Sequence, residues 1–376
     1  MKYIEEFRDP ELAKILASAI TAEADPNRLY KFMEFCGGHT HAIARYGVED
    51  LLPNNIEMIH GPGCPVCVLP VGRVDTAVAL ATQNDVILCT YADLMRVPGS
   101  KFDSLIKARA RGADIRMVYS VTDALNIAEA TPDREVVFFG IGFETTTPPT
   151  AVALKLAAKK GLKNFSVHCN HVLTPAAMRA ILGGHENGKA ANVVLDGFVG
   201  PAHVSAVIGT KPYHEFTRDY AKPVVIAGFE PLDVMQSVLQ LVRQVNEGRA
   251  EVENEYTRAV TPEGNKKAQA LTEEVFELRD MFEWRGLGSV PNSALQIRPH
   301  LSAYDAEKRF PLDLPTPTEN KACACGEILR GEKSPTDCKI YGNPCTPENP
   351  LGACMVSSEG ACAAHWTYGR FRDAAE

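Results

Sequence analysis

The sequence predicts an α/β fold with mainly parallel sheets, followed by a small irregular segment held together by cysteines. Three observations predict it. From residue 30 to about 250, short apolar runs alternate with amphipathic stretches. Glycine-rich motifs follow those apolar runs one after another. Six of the eleven cysteines lie between Cys323 and Cys362, where periodicity of either kind is weak.

The apolar runs predict strands over residues 30–35, 56–60, 86–90, 115–120, 136–140, 165–170, 193–199 and 224–228. Between them the spacing predicts helices over 71–82, 104–111, 146–160 and 175–182, with two more over 233–248 and 264–278. Alternation of this kind reads as βαβ units, because parallel neighbours need a crossover. The strands are assigned to two Rossmann-like α/β domains, residues 1–120 and 121–282. Residues 283–376 form a third unit, in which 298–320 are proline-rich and irregular. Too little apolar material follows Cys323 for burial alone to order that segment, so a metal cluster is expected to organise it.

Composition excludes several classes. The 376 residues are 45% hydrophobic and 23% charged with a net charge of −8. That is enough for real cores, and no basic block points to nucleic acid. The N-terminus is too charged for the apolar core of a signal peptide, and no apolar run approaches the roughly 20 residues of a membrane span. A cytoplasmic chain, monomeric in itself and without a membrane association, is expected. In that compartment eleven cysteines argue for metal or redox work rather than a disulfide framework.

The motifs share one place in the predicted topology. Cys36-Gly-Gly-His-Thr-His41 follows the first strand, Gly61-Pro-Gly-Cys-Pro-Val-Cys67 the second, and Gly142-Phe-Glu-Thr-Thr146 the fifth. Asn170-His171 closes the sixth, Gly200-Pro-Ala-His203 the seventh, and Gly228-Phe-Glu-Pro231 the eighth. All lie at carboxyl ends of strands, where open α/β sheets bind ligands and helix N-termini favour thiolates.

Cys64 and Cys67 suit half a metal site or a redox dithiol in a tight, exposed turn; a buried structural pair is the plainer alternative. Cys36 with His39 and His41 makes a soft-plus-imidazole ligand set, although each histidine equally suits a polar helix start. Glu144 and Glu230 fit either acid/base work or a first-turn carboxylate. His171 and His203 read as hydrogen-bonded rim residues, Cys89 and Cys169 as core. Two nucleotide-like matches are discounted. Gly183–Lys189 lacks the magnesium-ligating hydroxyl, and Gly140-Ile-Gly142 lacks the third glycine.

In the rear group, Cys325, Cys338, Cys345 and Cys362 are spaced C-x12-C-x6-C-x16-C, with Cys323 and Cys354 besides. The short knuckles of structural zinc sites are missing, so irregular thiolates on a turn-rich scaffold favour a [4Fe–4S] cube over zinc. Cys323 and Cys354 read either as a redox dithiol beside the cluster or as spare thiols.

Taken together the motifs resemble those of the hydrogenase maturation factor HypD family. The strings above recur in family order with Gly228-Phe-Glu-Pro-Leu-Asp233, Glu283-Trp-Arg-Gly-Leu-Gly288 and Ser357-Ser-Glu-Gly-Ala-Cys362, covering nearly the whole chain. The resemblance implies a scaffold for assembling the Fe(CN)2CO group of [NiFe]-hydrogenases with the partner HypC, cyanide arriving from a thiocyanate carried by HypE. It implies Cys36 as the iron ligand, Cys64 and Cys67 as a thiol pair in the same cleft, and Cys325, Cys338, Cys345 and Cys362 as ligands of a [4Fe–4S] cluster. His39 and Glu144 join the expected site, Glu144 moving protons or fixing His39. The chemistry is redox and transferase-like. A free-standing thiol–disulfide oxidoreductase and a zinc-stabilised binding module are the rival readings.

Overall fold

A computed structural model describes residues 4–183 and 193–369. The phosphate-loop-like string beginning at Gly183 falls almost entirely outside these residues. The strands in chain order are β1 (Tyr30–Glu34), β2 (Ile56–His60), β3 (Val86–Thr90), β4 (Asp114–Met117), β5 (Glu135–Gly142), β6 (Phe165–His171), β7 (Gly197–Pro201), β8 (Val224–Ala227) and β9 (Val252–Asn254), then β10 (Phe276–Leu278), β11 (Met281–Trp284), β12 (Gly288–Pro291) and β13 (Leu295–Ile297).

Two parallel sheets dominate, in the orders β2-β1-β7-β8-β9 and β4-β3-β5-β6. Their strands are near-continuous apolar runs such as Val86–Thr90, buried throughout, as expected where helices cover both faces. The predicted α/β class is therefore the one observed, with a small irregular C-terminal region.

The division at residue 120 falls between β4 and β5, inside the second sheet, and the one at 282 falls inside β11. The chain lays down β1 and β2, builds the whole second sheet, and returns to place β7 against the free edge of β1. A linear reading assumes that successive strands are neighbours. The seventh strand starts four residues later than the predicted 193, at Gly197. A Cβ there would lie 2.9 Å from the Pro223 ring and 3.0 Å from Leu241, so glycine lets the strand enter beneath them.

Helix ends follow local chemistry. The helix Pro10–Glu23, not anticipated from periodicity, starts where the Asp9 carboxylate accepts the N–H groups of Glu11 and Leu12, with Pro10 at the first position. It packs on Pro231–Asn246, whose capping box joins Glu230 and Asp233 and whose Leu232, Met235, Leu239 and Val242 bury one stripe.

After β13 the chain has no regular element over 311–320. It then forms short turns and the helices Cys325–Leu329 and Ala361–Ala364. This segment folds back: Ala361–Ala364 packs on Gly37–Tyr46, while Cys325–Leu329 and Ala353–Met355 pack on Pro65–Val68. No helix among the described residues is long and apolar enough to cross a membrane.

Candidate thiol centre between two sheet rims

The site begins with the register of β1 and β2, which sets Glu34 opposite His60. The Glu34 carboxylate is fully buried. It accepts the Cys36 N–H at 2.8 Å, the Thr40 hydroxyl, and His60 Nδ1 at 3.0 Å. Burial alone would lower the His60 pKa, but the Glu34 carboxylate outweighs it and raises it. A buried carboxylate survives because donors surround it, and here those donors tie the turn after β1 to the end of β2.

The two turns then touch. The Gly37 N–H donates to the Gly63 carbonyl at 3.1 Å. A Cβ on Gly63 would lie 2.3 Å from the Cys36 nitrogen, so backbone meets backbone and only glycine fits. Gly63→Ala is expected to push the Cys36 turn away, costing about 1–3 kcal/mol as overpacking does. Urea unfolding reads the loss and the alkylation rate of Cys36 reads the displacement; unchanged values in both would refute the contact.

Cys64 and Cys67 form a disulfide on Pro65–Val68. Both are buried, whereas the sequence suggested an exposed turn. The difference arises because the segments carrying Cys325 and Cys354 cover this helix. Cys36, half-buried, precedes the helix Gly37–Tyr46. Burial pushes its thiol up to about 12, Glu359 and Glu34 add to the rise, and the N–H groups of Gly38 and His39 oppose it. A soft metal would therefore displace a proton to bind there.

His39 Nε2 donates to the carbonyls of Ala227 and Gly228, at 3.0 and 2.9 Å. The carbonyls at the end of β8 thus fix this imidazole, not Glu144. Its Nδ1 is buried with no hydrogen-bond partner among the described residues, and burial lowers its pKa, so it keeps a free lone pair. Phe229 lies between the rings of His39 (4.8 Å) and exposed His203 (4.0 Å). His41 instead meets Tyr368 edge-on at 5.3 Å.

Glu144 lies on the other rim. Its oxygens accept the Thr174 N–H at 2.8 Å and hydroxyl at 3.0 Å, and burial pushes its pKa up to about 7. Folded Glu144 thus holds a proton that the unfolded chain releases near 4.5. The stability this contributes is full below that value and is lost as pH rises to about 7. Glu144→Gln cannot ionise and should remove this loss, gaining roughly 3 kcal/mol over the parent at and above neutrality. Urea midpoints across that range test it; parallel curves would count against a protonated Glu144. Glu230 caps its helix and pairs with Arg8, which favours the first-turn role. His171 bonds Thr150 at 3.0 Å and Thr146 at 3.4 Å as a rim residue, and Cys89 and Cys169 are core.

The two rims face each other across a cavity of about 510 Å³, lined by Pro65 and Val66 of the disulfide helix, Asp93, Tyr119, Thr146 and Glu359. Glu359 presses on the Cys36 helix: a Cβ at Gly37 would lie 2.8 Å from its Oε2.

All six rear cysteines line one small cavity with Tyr341. Cys323 is half-exposed and the others are buried. Cys325 Sγ lies 2.6 Å from Cys354 Sγ, so an expected ligand adjoins a thiol that had no assigned role. Burial and the surrounding thiols push Cys362 well up, and the Leu351 N–H approaches Cys345 Sγ at 3.4 Å. The donors gathered there are all sulfur, the ligand type an iron–sulfur cluster uses, although among the described residues no group of side chains is already spaced to hold a metal ion.

Sequence reasoning gave no role to Glu34, His60, Glu359 or Arg285. Glu34 and His60 stand just before thiol motifs, which was the available signal, whereas Glu359 and Arg285 lie inside quoted strings in which neither was singled out.

A family model described as HypD, hydrogenase formation hypA family, matches residues 11–369. The match makes this two-sheet protein a hydrogenase maturation factor. The chain is 66% identical to the hydrogenase maturation factor HypD of Rhizobium leguminosarum bv. viciae, over 99% of this chain and 97% of that one. It is 65% identical to that of Cupriavidus necator (99% and 98%) and 45% identical to that of Escherichia coli K12 (98% of each). The chain belongs to the HypD family.

Proposed function

We propose that this chain is the scaffold on which an Fe(CN)2CO unit is assembled, held by Cys36 together with a cysteine of a HypC partner. The observation that carries this reading is the position of Cys36, at a helix start between the disulfide turn and the returning C-terminal segment. Thiolate is a soft donor suited to low-spin iron(II) with strong-field ligands. The Gly38 and His39 N–H groups favour the thiolate, Glu34 anchors the turn, and the His39 Nδ1 lone pair lies within the same turn.

Cyanide is delivered from an S-thiocyanate carried by HypE. Releasing it takes two electrons: a dithiol at Cys64 and Cys67 becomes the disulfide, and thiocyanate yields cyanide and a thiol. The pair is recharged by the adjoining Cys325 and Cys354, whose 2.6 Å contact supports a dithiol there. That leaves Cys323, Cys338, Cys345 and Cys362 to hold the [4Fe–4S] cluster, with Cys323 in place of the Cys325 first expected. When bound, the cluster supplies electrons.

Anaerobically purified protein should be brown. Cys325→Ser should keep the colour and Cys323→Ser should lose it; the reverse pattern would restore Cys325 as the ligand. The function is tested by infrared spectroscopy of the complex co-purified with HypC. Bound CO and cyanide bands support the scaffold, whereas brown protein without them leaves only the thiol–disulfide oxidoreductase.

A further inference from the structure

Arg285 belongs to Glu283-Trp-Arg-Gly-Leu-Gly288, a string with no role in the chemistry above. Its backbone N–H donates to the Val68 carbonyl at 2.8 Å and its Nε to the Leu69 carbonyl at 3.0 Å. Those carbonyls end the helix that carries the Cys64–Cys67 disulfide. On its other side, Gly286 lies against Gly326, where a Cβ at Gly286 would come within 3.0 Å of the Gly326 Cα. Gly326 is the residue after Cys325, and Arg330 of the same short segment donates back to the Gly286 carbonyl. Residues 285 and 286 are thus stitched to both thiol pairs.

The Arg285 side chain is only 7% exposed. Its ion pair with Glu319 is long, 3.7 Å, and its Nη2 has no hydrogen-bond partner among the described residues. An under-compensated buried cation is a poor device for stability, since an apolar side chain of similar volume often serves as well. A guanidinium held there at that cost points to a task other than packing.

We propose that Arg285 is a positioning residue that keeps the Cys64–Cys67 turn in register with the Cys325 and Cys354 pair for thiol–disulfide exchange. This rests on the relay described above. In the exchange a Cys325 or Cys354 sulfur attacks the Cys64–Cys67 bond to give a mixed disulfide, and its partner then resolves it. The Cys64–Cys67 bond breaks, a Cys325–Cys354 bond forms, and two electrons and two protons pass to Cys64 and Cys67. Such in-line attack tolerates little misplacement.

The test uses the full chain, purified anaerobically and reduced. Half an equivalent of diamide is added, free thiols are trapped with N-ethylmaleimide at intervals, and peptide mass mapping follows the disulfide from Cys64–Cys67 to Cys325–Cys354. Arg285→Lys, which keeps the buried charge, and Arg285→Met should each slow this migration by about tenfold or more. Direct reduction of Cys64–Cys67 by a phosphine should stay at the parental rate in both. Migration at the parental rate overturns the proposal. Slow migration with faster phosphine reduction also overturns it, because the cover over the disulfide has then simply loosened. No migration in the parent chain removes the relay itself, and the proposal with it.

Discussion

Replacing Cys36 by Ala should abolish the infrared bands of bound CO and cyanide in the HypC complex while leaving the brown colour intact. On the proposed reading the loss is complete rather than graded, because a sulfur–metal bond would hold the cargo and Ala offers no donor. The colour should survive because Cys36 does not line the cavity shared by the six rear cysteines. Cys36→Ser retains a harder, weaker donor at the same helix start and should also fail. Bands that persist in Cys36→Ala would remove this residue from the ligand set and with it the argument drawn from its position.

Cys338→Ala should bleach the visible absorbance and loosen the C-terminal segment without unfolding the sheets. Among the described residues, the hydrophobic clusters around Phe138 and Phe165 and around Phe32 and Val238 contain no residue beyond Tyr304. Another cluster joins Cys64, Cys67, Cys325, Cys338 and Cys362 in one apolar body. Breaking the cysteine nest should therefore uncover the disulfide, and phosphine reduction of Cys64–Cys67 should become at least several-fold faster, since local opening governs access. Far-ultraviolet circular dichroism should change little. A colourless variant with an unaltered reduction rate would show that the nest does not hold the cover in place.

The strands were legible because parallel β segments buried on both faces read as apolar runs, as in β3 and β5. The placing of motifs at strand ends was legible for the same reason. What escaped was pairing across long separations. Nothing local tells that β7 closes on β1, so the two rims were read as one, with Glu144 beside Cys36. Glu34 escaped because a glutamate ending a strand looks like any other, and its role depends on the register that brings His60 opposite. Arg285 escaped because the carbonyls that hold it belong to residues 68 and 69. Cysteine spacing separated four thiols from two, but only folding brings Cys325 against Cys354.

The return of the chain to its first sheet has a consequence for biogenesis. While the ribosome is still translating the second sheet, β1 and β2 wait as a two-strand ribbon that lacks β7, and such ribbons are marginal in water. Cys36 cannot acquire its full surroundings until β8 has supplied the carbonyls for His39 and the residue-359 region has closed over Gly37. The order of synthesis therefore brings Cys36 out of the tunnel well before the elements that house it. A nascent chain interrupted before the returning strands presents a bare Cys36 thiol; on the function proposed above, loading of the iron unit then waits for those strands.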